Sequence, residues 1–262
     1  MPKIKVNGIE LYYEKHGEGE PLVMIAGLGG TTNGWALQVQ EFSKSYQVII
    51  FDNRGCGQSN RPNMQYTIKL LTDDTANLLS TLNIQKANIL GISMGGWIAQ
   101  HLAIHYPHMI KKLILVCTSD RIYRIGEKII ETWKILVRNN QKKALVNELL
   151  IWTFSIDYFE KCPRDMKQLE IALSRSDQPI LNLNQLDACL GHNASKEIAN
   201  ITAPTLVLAA EQDILYPPIL SGPLVKKIPN VKFKVIEGSG HGVIWEQPEA
   251  FNKAVVEFLN SP

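Results

Sequence analysis

Gly91-Ile92-Ser93-Met94-Gly95 is the part of the sequence whose residue types and spacing point most directly to chemistry. Small residues two positions either side of a serine let the backbone turn sharply between a strand and a helix, and so hold the hydroxyl out at the turn. The apolar run 87–90 leads into the pentad and helix-forming sequence leaves it from Met94. Ser93 is therefore expected at a helix N-terminus, where backbone N–H groups and the helix dipole favour developing negative charge. That is the setting for nucleophilic attack on a carbonyl carbon. The competing reading is a glycine-rich turn with an incidental serine.

A serine hydroxyl is a poor nucleophile near neutral pH without an adjacent base. Six histidines are available, at 16, 101, 105, 108, 192 and 241. His101 and His105 stand four apart on the helix after the turn, a metal-like spacing. With Gln100 and His108 beside them they read as a solvated face, and the H-E-x-x-H form is absent. His241 lies in Gly238-Ser-Gly-His-Gly242, a loop directly after the apolar strand 231–236, and loops at strand ends can converge over a sheet. His241 is thus the expected base. Its orienting carboxylate is expected at Asp213, just beyond strand 205–209, with Asp120 and Glu211 as rivals. An oxyanion needs two N–H donors. Met94, next to the nucleophile, supplies one, and Leu28 in the open turn Gly27-Leu28-Gly29-Gly30 is the candidate for the other.

Other segments carry weaker signals. Residues 52–59, DNRGCGQS, lack the G-K-[ST] of a phosphate loop and read as a structural turn with Asp52 and Arg54 holding it over the sheet. Cys56 has no base assigned to it. The four cysteines, at 56, 117, 162 and 189, form no C-x-x-C pair and no zinc spacing, so reduced thiols are expected. Trp152 and Phe154, with Tyr158 and Phe159, either line an apolar substrate pocket or belong to a small core.

Positioning these residues requires a particular set of elements. Residues 3–16 read as two strands joined at Asn7-Gly8, a strong hairpin signal. Apolar runs at 22–26, 47–51, 87–90, 113–117, 205–209 and 231–236 read as buried strands, with helical periodicity over 66–82, 93–106 and 247–260 between them. Strands alternating with helices imply a mostly parallel sheet flanked by helices, an α/β fold. From Arg121 to about Ser195 the periodicity is helical only. The expected organisation is thus a core of residues 1–119 and 196–262 and a helical cap, or lid, of residues 120–195 over the strands' C-terminal edge.

The chain's 262 residues, 45% of them hydrophobic and 20% charged, exclude disordered, collagen-like and disulfide-scaffold classes. A formal net charge of +2 argues against nucleic acid as the main partner. Residues 87–110 contain no Asp, Glu, Lys or Arg, but glycines, histidines and a proline break the run, so no membrane span is expected. Without an apolar leader the N-terminus shows no signal peptide, and with reduced thiols the expectation is a cytoplasmic protein.

Taken together, AGLGG, FDNRGCGQS, GISMGGWIAQ, PTLVLAAEQD and GSGHG followed by WEQPEAF resemble the α/β-hydrolase superfamily over nearly the full length. Within it the chain is similar to small capped carboxylesterases of the 3-oxoadipate enol-lactonase type and to esterases acting on pimeloyl-carrier-protein methyl ester in biotin synthesis. The resemblance implies an eight-stranded sheet with an inserted helical cap, and a nucleophile, acid and base at Ser93, Asp213 and His241. Where many relatives carry His-Gly in the oxyanion loop, this chain has Ala26-Gly27. A serine at the elbow argues against dehalogenases and epoxide hydrolases, which place aspartate there. The expected activity is hydrolysis of a small carboxylic ester, thioester or lactone through an acyl-enzyme, with no metal or organic cofactor. The rivals are a cofactor-free perhydrolase, a hydrolase-fold small-molecule receptor, and an esterase specific for an acyl carrier protein. For the last, Arg121, Arg124, Lys128, Arg138, Lys142 and Lys143 would face an acidic carrier, unless they are simply a solvated helix face.

Overall fold

The structure, a computed structural model, describes residues 2–176 and 179–261. Strands β1 (Lys3–Val6) and β2 (Ile9–His16) form the expected hairpin, its turn held by positive φ at Asn7 (43°) and Gly8 (74°). Strands β3 (Glu20–Ile25), β4 (Tyr46–Phe51), β5 (Ala87–Ile92), β6 (Ile110–Val116), β7 (Thr205–Ala210) and β8 (Val231–Ile236) complete one eight-stranded sheet in the order β1-β2-β4-β3-β5-β6-β7-β8. β1 and β2 pair antiparallel, β2 also pairs antiparallel with β4, and every later pairing is parallel.

Because side chains alternate across a strand, the apolar runs feed two cores. Val23, Ile25, Ile49, Ile89, Leu113 and Val207 pack on one face, while Leu22, Met24, Val48, Leu90, Ile114 and Leu206 pack on the other. Helices α1 (Ala36–Phe42), α2 (Ile68–Thr81) and α3 (Met94–His105) follow β3, β4 and β5 as crossovers. Thr67 caps α2 by accepting from the Leu70 amide.

Two sequence expectations change here. β8 lies at the sheet's edge, and Lys232, Phe233 and Lys234 are exposed rather than buried; lysines on an edge strand discourage pairing with other chains. Gln100 is fully buried and donates to the Ser119 carbonyl at 2.9 Å, and His101 is half-buried, so only His105 of the expected solvated group on α3 is exposed.

Between β6 and β7 the chain runs through α4 (Arg124–Arg138), α5 (Lys142–Thr153), α6 (Ile156–Lys161), α7 (Pro163–Arg175) and α8 (Leu183–Leu190). The insertion closes at its base, where Arg121 and Asn193 form a bridge and Ala194 N–H donates to the Asp120 carbonyl at 2.8 Å. Beyond β7, α9 (Gly222–Lys227), α10 (Val243–Glu246) and α11 (Pro248–Leu259) finish the chain, α11 burying Phe251, Val255 and Phe258 against the second core. Among the described residues no helix is long and apolar enough to cross a membrane.

Candidate active site

Ser93 occupies the single-residue turn between β5 and α3 at φ 55°, ψ −121°, a conformation that costs an L-residue about 1–3 kcal/mol. The surroundings enforce it. Ser93 N–H donates to the Val116 carbonyl at 2.9 Å, and Thr118 Oγ1 donates to the Ser93 carbonyl at 3.0 Å. At Gly95 a Cβ would sit 2.1 Å from the Ile25 carbonyl oxygen, so α3 can pack this closely on β3 only with glycine there. The spacing of the pentad is therefore a steric requirement of the elbow.

The loop after β8 carries His241 and the loop after β7 carries Asp213, and the two side chains meet. His241 Nδ1 lies 2.8 Å from Asp213 Oδ2. With the proton on Nδ1 the ring donates to the carboxylate and leaves Nε2 as the acceptor. The other carboxylate oxygen, Oδ1, accepts from the Leu215 and Tyr216 amides at 2.9 and 2.7 Å, which fixes the acid's orientation. Neither rival acid is so placed. The Asp120 carboxylate accepts from the Tyr123 hydroxyl at 3.1 Å, and Glu211 accepts from the Gly238 amide at 2.9 Å.

Ser93 and His241 line one cavity of about 160 Å³ together with Gly27, Leu28 and Met94. Among the described residues neither the Leu28 nor the Met94 amide has a protein acceptor. Two unsatisfied N–H donors beside a strained serine can stabilise an oxyanion. A Cβ on Gly27 would lie 3.2 Å from Ser93 Cβ, so a glycine keeps this approach open.

The 52–59 segment braces the glycine loop from behind. Asp52 accepts from the Thr32 amide through Oδ1 and from the Gln58 amide through Oδ2, each at 2.8 Å, while Asn53 Nδ2 donates to the Ala26 carbonyl at 3.1 Å. Burial holds the Asp52 carboxyl above its usual range despite those donors. Arg54 works elsewhere. It makes two 2.7 Å bonds to Asp74 on α2 and reaches the Asn7 carbonyl at 3.3 Å, pinning the first hairpin's turn. Burial pushes the Cys56 thiol up to about 11, which leaves it un-ionised and unreactive.

Trp152 and Phe154 are not among the residues that line the cavity, which corrects the expectation of a pocket role. On α5, Leu149 and Thr153 share the cavity-facing stripe. Trp152 is rotated off it and donates to Glu148 at 3.0 Å. Phe154 is buried in a separate cluster, stacked on Tyr158 at 5.1 Å and 5.9 Å from Trp245. The aromatic lining comes from Trp35, Trp97, Trp133, Tyr216 and Trp245. Of the cationic residues on the insertion, Lys128 pairs with Glu131 at 2.7 Å and Arg121 lies over the Tyr123 ring at 4.8 Å.

Three residues in the site's support are not singled out by the sequence. Glu246 on α10 clasps the histidine loop to the insertion: it accepts from Gly240 N–H at 3.0 Å and from Ser155 N–H and Oγ at 3.1 and 2.5 Å. Gln185 on α8 donates to the Arg54 carbonyl at 2.7 Å and accepts from Cys56 Sγ at 3.2 Å, tying the insertion to the 52–59 turn. Cys117, in a left-handed conformation at φ 45°, is fully buried, and burial together with the Asp213 charge keeps its thiol protonated. Cys117, Asp213 and His241 each offer a donor atom within 4.8 Å of the others, a set zinc accepts. The Asp213–His241 hydrogen bond already occupies two of those donors. Only Glu246 had a local signal, its place in WEQP just after the histidine loop.

Residues 20–248 match the family described as alpha/beta hydrolase fold. The chain is 31% identical over 272 aligned positions to "Putative non-heme bromoperoxidase BpoC" of Mycobacterium tuberculosis, covering 97% of this chain and 98% of that one. Its structure superposes on the enol-lactonase from Burkholderia xenovorans LB400 with a TM-score of 0.92, at 30% identity, over 99% and 100% of the two chains. It also superposes on a thermophilic esterase from Thermogutta terrifontis with a TM-score of 0.89, at 25% identity, over 99% and 98%.

Proposed function

The chain belongs to the alpha/beta hydrolase fold family, and from that premise we propose that it is a serine hydrolase of carboxylic esters, lactones included, working through an acyl-enzyme on Ser93. The observation that carries this reading is the convergence at one cavity of Ser93 at the strained elbow, His241 held by Asp213 at 2.8 Å, and the unpaired Leu28 and Met94 amides.

In the first half-reaction Ser93 Oγ attacks the carbonyl carbon while His241 Nε2 takes its proton. Asp213 stabilises the resulting imidazolium, and the two amides stabilise the tetrahedral oxyanion. Collapse breaks the bond to the alcohol oxygen, which leaves with the proton from His241. Water then repeats the sequence on the acyl-enzyme, releasing the acid and restoring Ser93. The insertion, residues 120–195, acts as a lid that roofs the cavity with α4 and α5.

The test is hydrolysis of p-nitrophenyl esters by wild type and Ser93→Ala. Turnover should fall by at least about 10³-fold in the variant, with folding unchanged by circular dichroism. Turnover that survives the substitution would refute the mechanism. The likeness to a protein named as a bromoperoxidase motivates one further assay on the same acyl-enzyme. Hydrogen peroxide in place of water would yield a peracid, which a peroxide-dependent halogenation dye detects.

A further inference from the structure

Four of the chain's five tryptophans, Trp35, Trp97, Trp133 and Trp245, line the cavity together with Tyr216. Indole and phenol rings present flat, weakly polar faces that favour another ring at offset or edge-on geometry. Trp97 is itself fixed, stacked on His192 at 4.4 Å and met edge-on by Tyr216 at 6.0 Å. Burial drives the His192 imidazole well below its usual range, so the residue behind Trp97 brings no positive charge.

Equally informative is what the lining omits. Among the described residues it contains no Asp, Glu, Lys or Arg, and His241 is its one histidine. Burial also raises Cys189 and Tyr216, keeping both un-ionised. A carboxylate or ammonium entering here would leave water without meeting a counter-charge, which is among the most expensive events in a protein interior. The two free amides are committed to the reacting carbonyl, and the unpaired indole N–H groups of Trp35, Trp97 and Trp133 are neutral donors that bring no counter-charge. Size sets the other limit. A protein cavity of ~150 Å³ accommodates benzene, and this one is about 160 Å³.

We infer that the group this cavity takes is uncharged and about one ring in size, an aromatic or alicyclic acyl or lactone unit, and that substrates placing a carboxylate inside it are rejected. The inference rests on the ester-hydrolase reading above and narrows it to a substrate class.

The experiment compares p-nitrophenyl esters of benzoic acid, decanoic acid, fumaramic acid and, as the hemiester, fumaric acid, each corrected for spontaneous hydrolysis. The fumaramate and hemifumarate differ by one charge at nearly equal size, and their trans geometry prevents internal attack. Benzoate and fumaramate should be turned over. The hemifumarate should show kcat/KM at least about 100-fold below the fumaramate, and the decanoate at least about 10-fold below the benzoate. Hemifumarate turnover within a few-fold of fumaramate, lost in Ser93→Ala, would overturn the inference and leave the hydrolase reading intact. Decanoate turnover matching benzoate would overturn the size limit. If wild type cleaves none of the four, the hydrolase reading falls, and tryptophan fluorescence then decides the cavity's preference. Titration with benzyl alcohol and with the isosteric benzylammonium should favour the alcohol by at least about 30-fold; equal or reversed binding would overturn the inference.

Discussion

Removing the Glu246 side chain tests whether the histidine loop and the helical insertion are mechanically joined. In Glu246→Ala three hydrogen bonds disappear together: from Gly240 N–H at 3.0 Å, Ser155 N–H at 3.1 Å and Ser155 Oγ at 2.5 Å. The Ser155 hydroxyl can turn to another acceptor, but the two amides cannot. An orphaned buried donor costs about 1–3 kcal/mol, and this half-buried site lets water recover part of that, so the expected loss is about 2–4 kcal/mol. For a chain of this size each kilocalorie lowers Tm by about 2–4 °C, giving a shift on the order of 10 °C. Activity should fall more than stability predicts at 25 °C, because Gly240 adjoins His241 and a displacement of about 1 Å at a catalytic group can cost on the order of 10²-fold in rate. The Gly242 N–H bond to the Thr153 carbonyl, at 2.6 Å, remains as a second tether, so the loop loosens without detaching. Differential scanning calorimetry and ester kinetics on the same preparation read both effects. An unchanged Tm with unchanged kcat would refute the clasp, and a lowered Tm with wild-type kcat would confine Glu246 to stability.

Four further outcomes follow from the same geometry. Burial raises the Glu246 carboxyl above its ordinary value of 4.5, so the folded state holds that proton more tightly than the unfolded chain. The proton-linked part of its contribution is therefore fully present below 4.5 and is lost as pH rises through the folded value, while the carboxylate goes on accepting from Gly240 and Ser155; urea unfolding should show the advantage of wild type over Glu246→Gln shrinking, without vanishing, as pH rises from 4.5 to neutrality. Asp213→Asn keeps the side chain's shape and an acceptor for the Leu215 and Tyr216 amides but loses the charge that fixes the His241 tautomer, so kcat should drop about 10³–10⁴-fold with little change in Tm. Gly95→Ala places a Cβ 2.1 Å from the Ile25 carbonyl, a clash with backbone, and thermal unfolding should report a loss of about 3 kcal/mol. Arg54→Met strands the buried Asp74 carboxylate at a cost of about 3–5 kcal/mol, and adding Asp74→Leu should recover most of it in the same denaturation assay.

The elements and residues legible in the sequence share one property: their information is local. A hairpin follows from Asn7-Gly8 because two successive positive φ angles demand such residues. The elbow follows from Gly91 and Gly95 because the bulk of a side chain at either position would collide with backbone. Strands show as apolar runs because parallel strands are covered on both faces. Once strand ends are known, a serine, an aspartate and a histidine just beyond three of them stand out as a candidate constellation.

What stayed hidden depended on contacts between distant segments. Trp152 and Trp133 are equally apolar in sequence, yet only Trp133 faces the cavity, since the rotation of α4 and α5 about their axes is set by packing against the core. His101 and Gln100 look solvated until residues near 119 and 192 cover them. Glu246 looks like a surface acid until Ser155, 91 residues away, is brought to it. The backbone turns and the order of elements are thus written in neighbouring residues, where steric exclusion and side-chain period act over a few positions. Cavity shape, the lack of charge among its described lining residues and the clasp across it arise from long-range packing, in which the same residue type can end on either side of a helix; only the tertiary structure decided those.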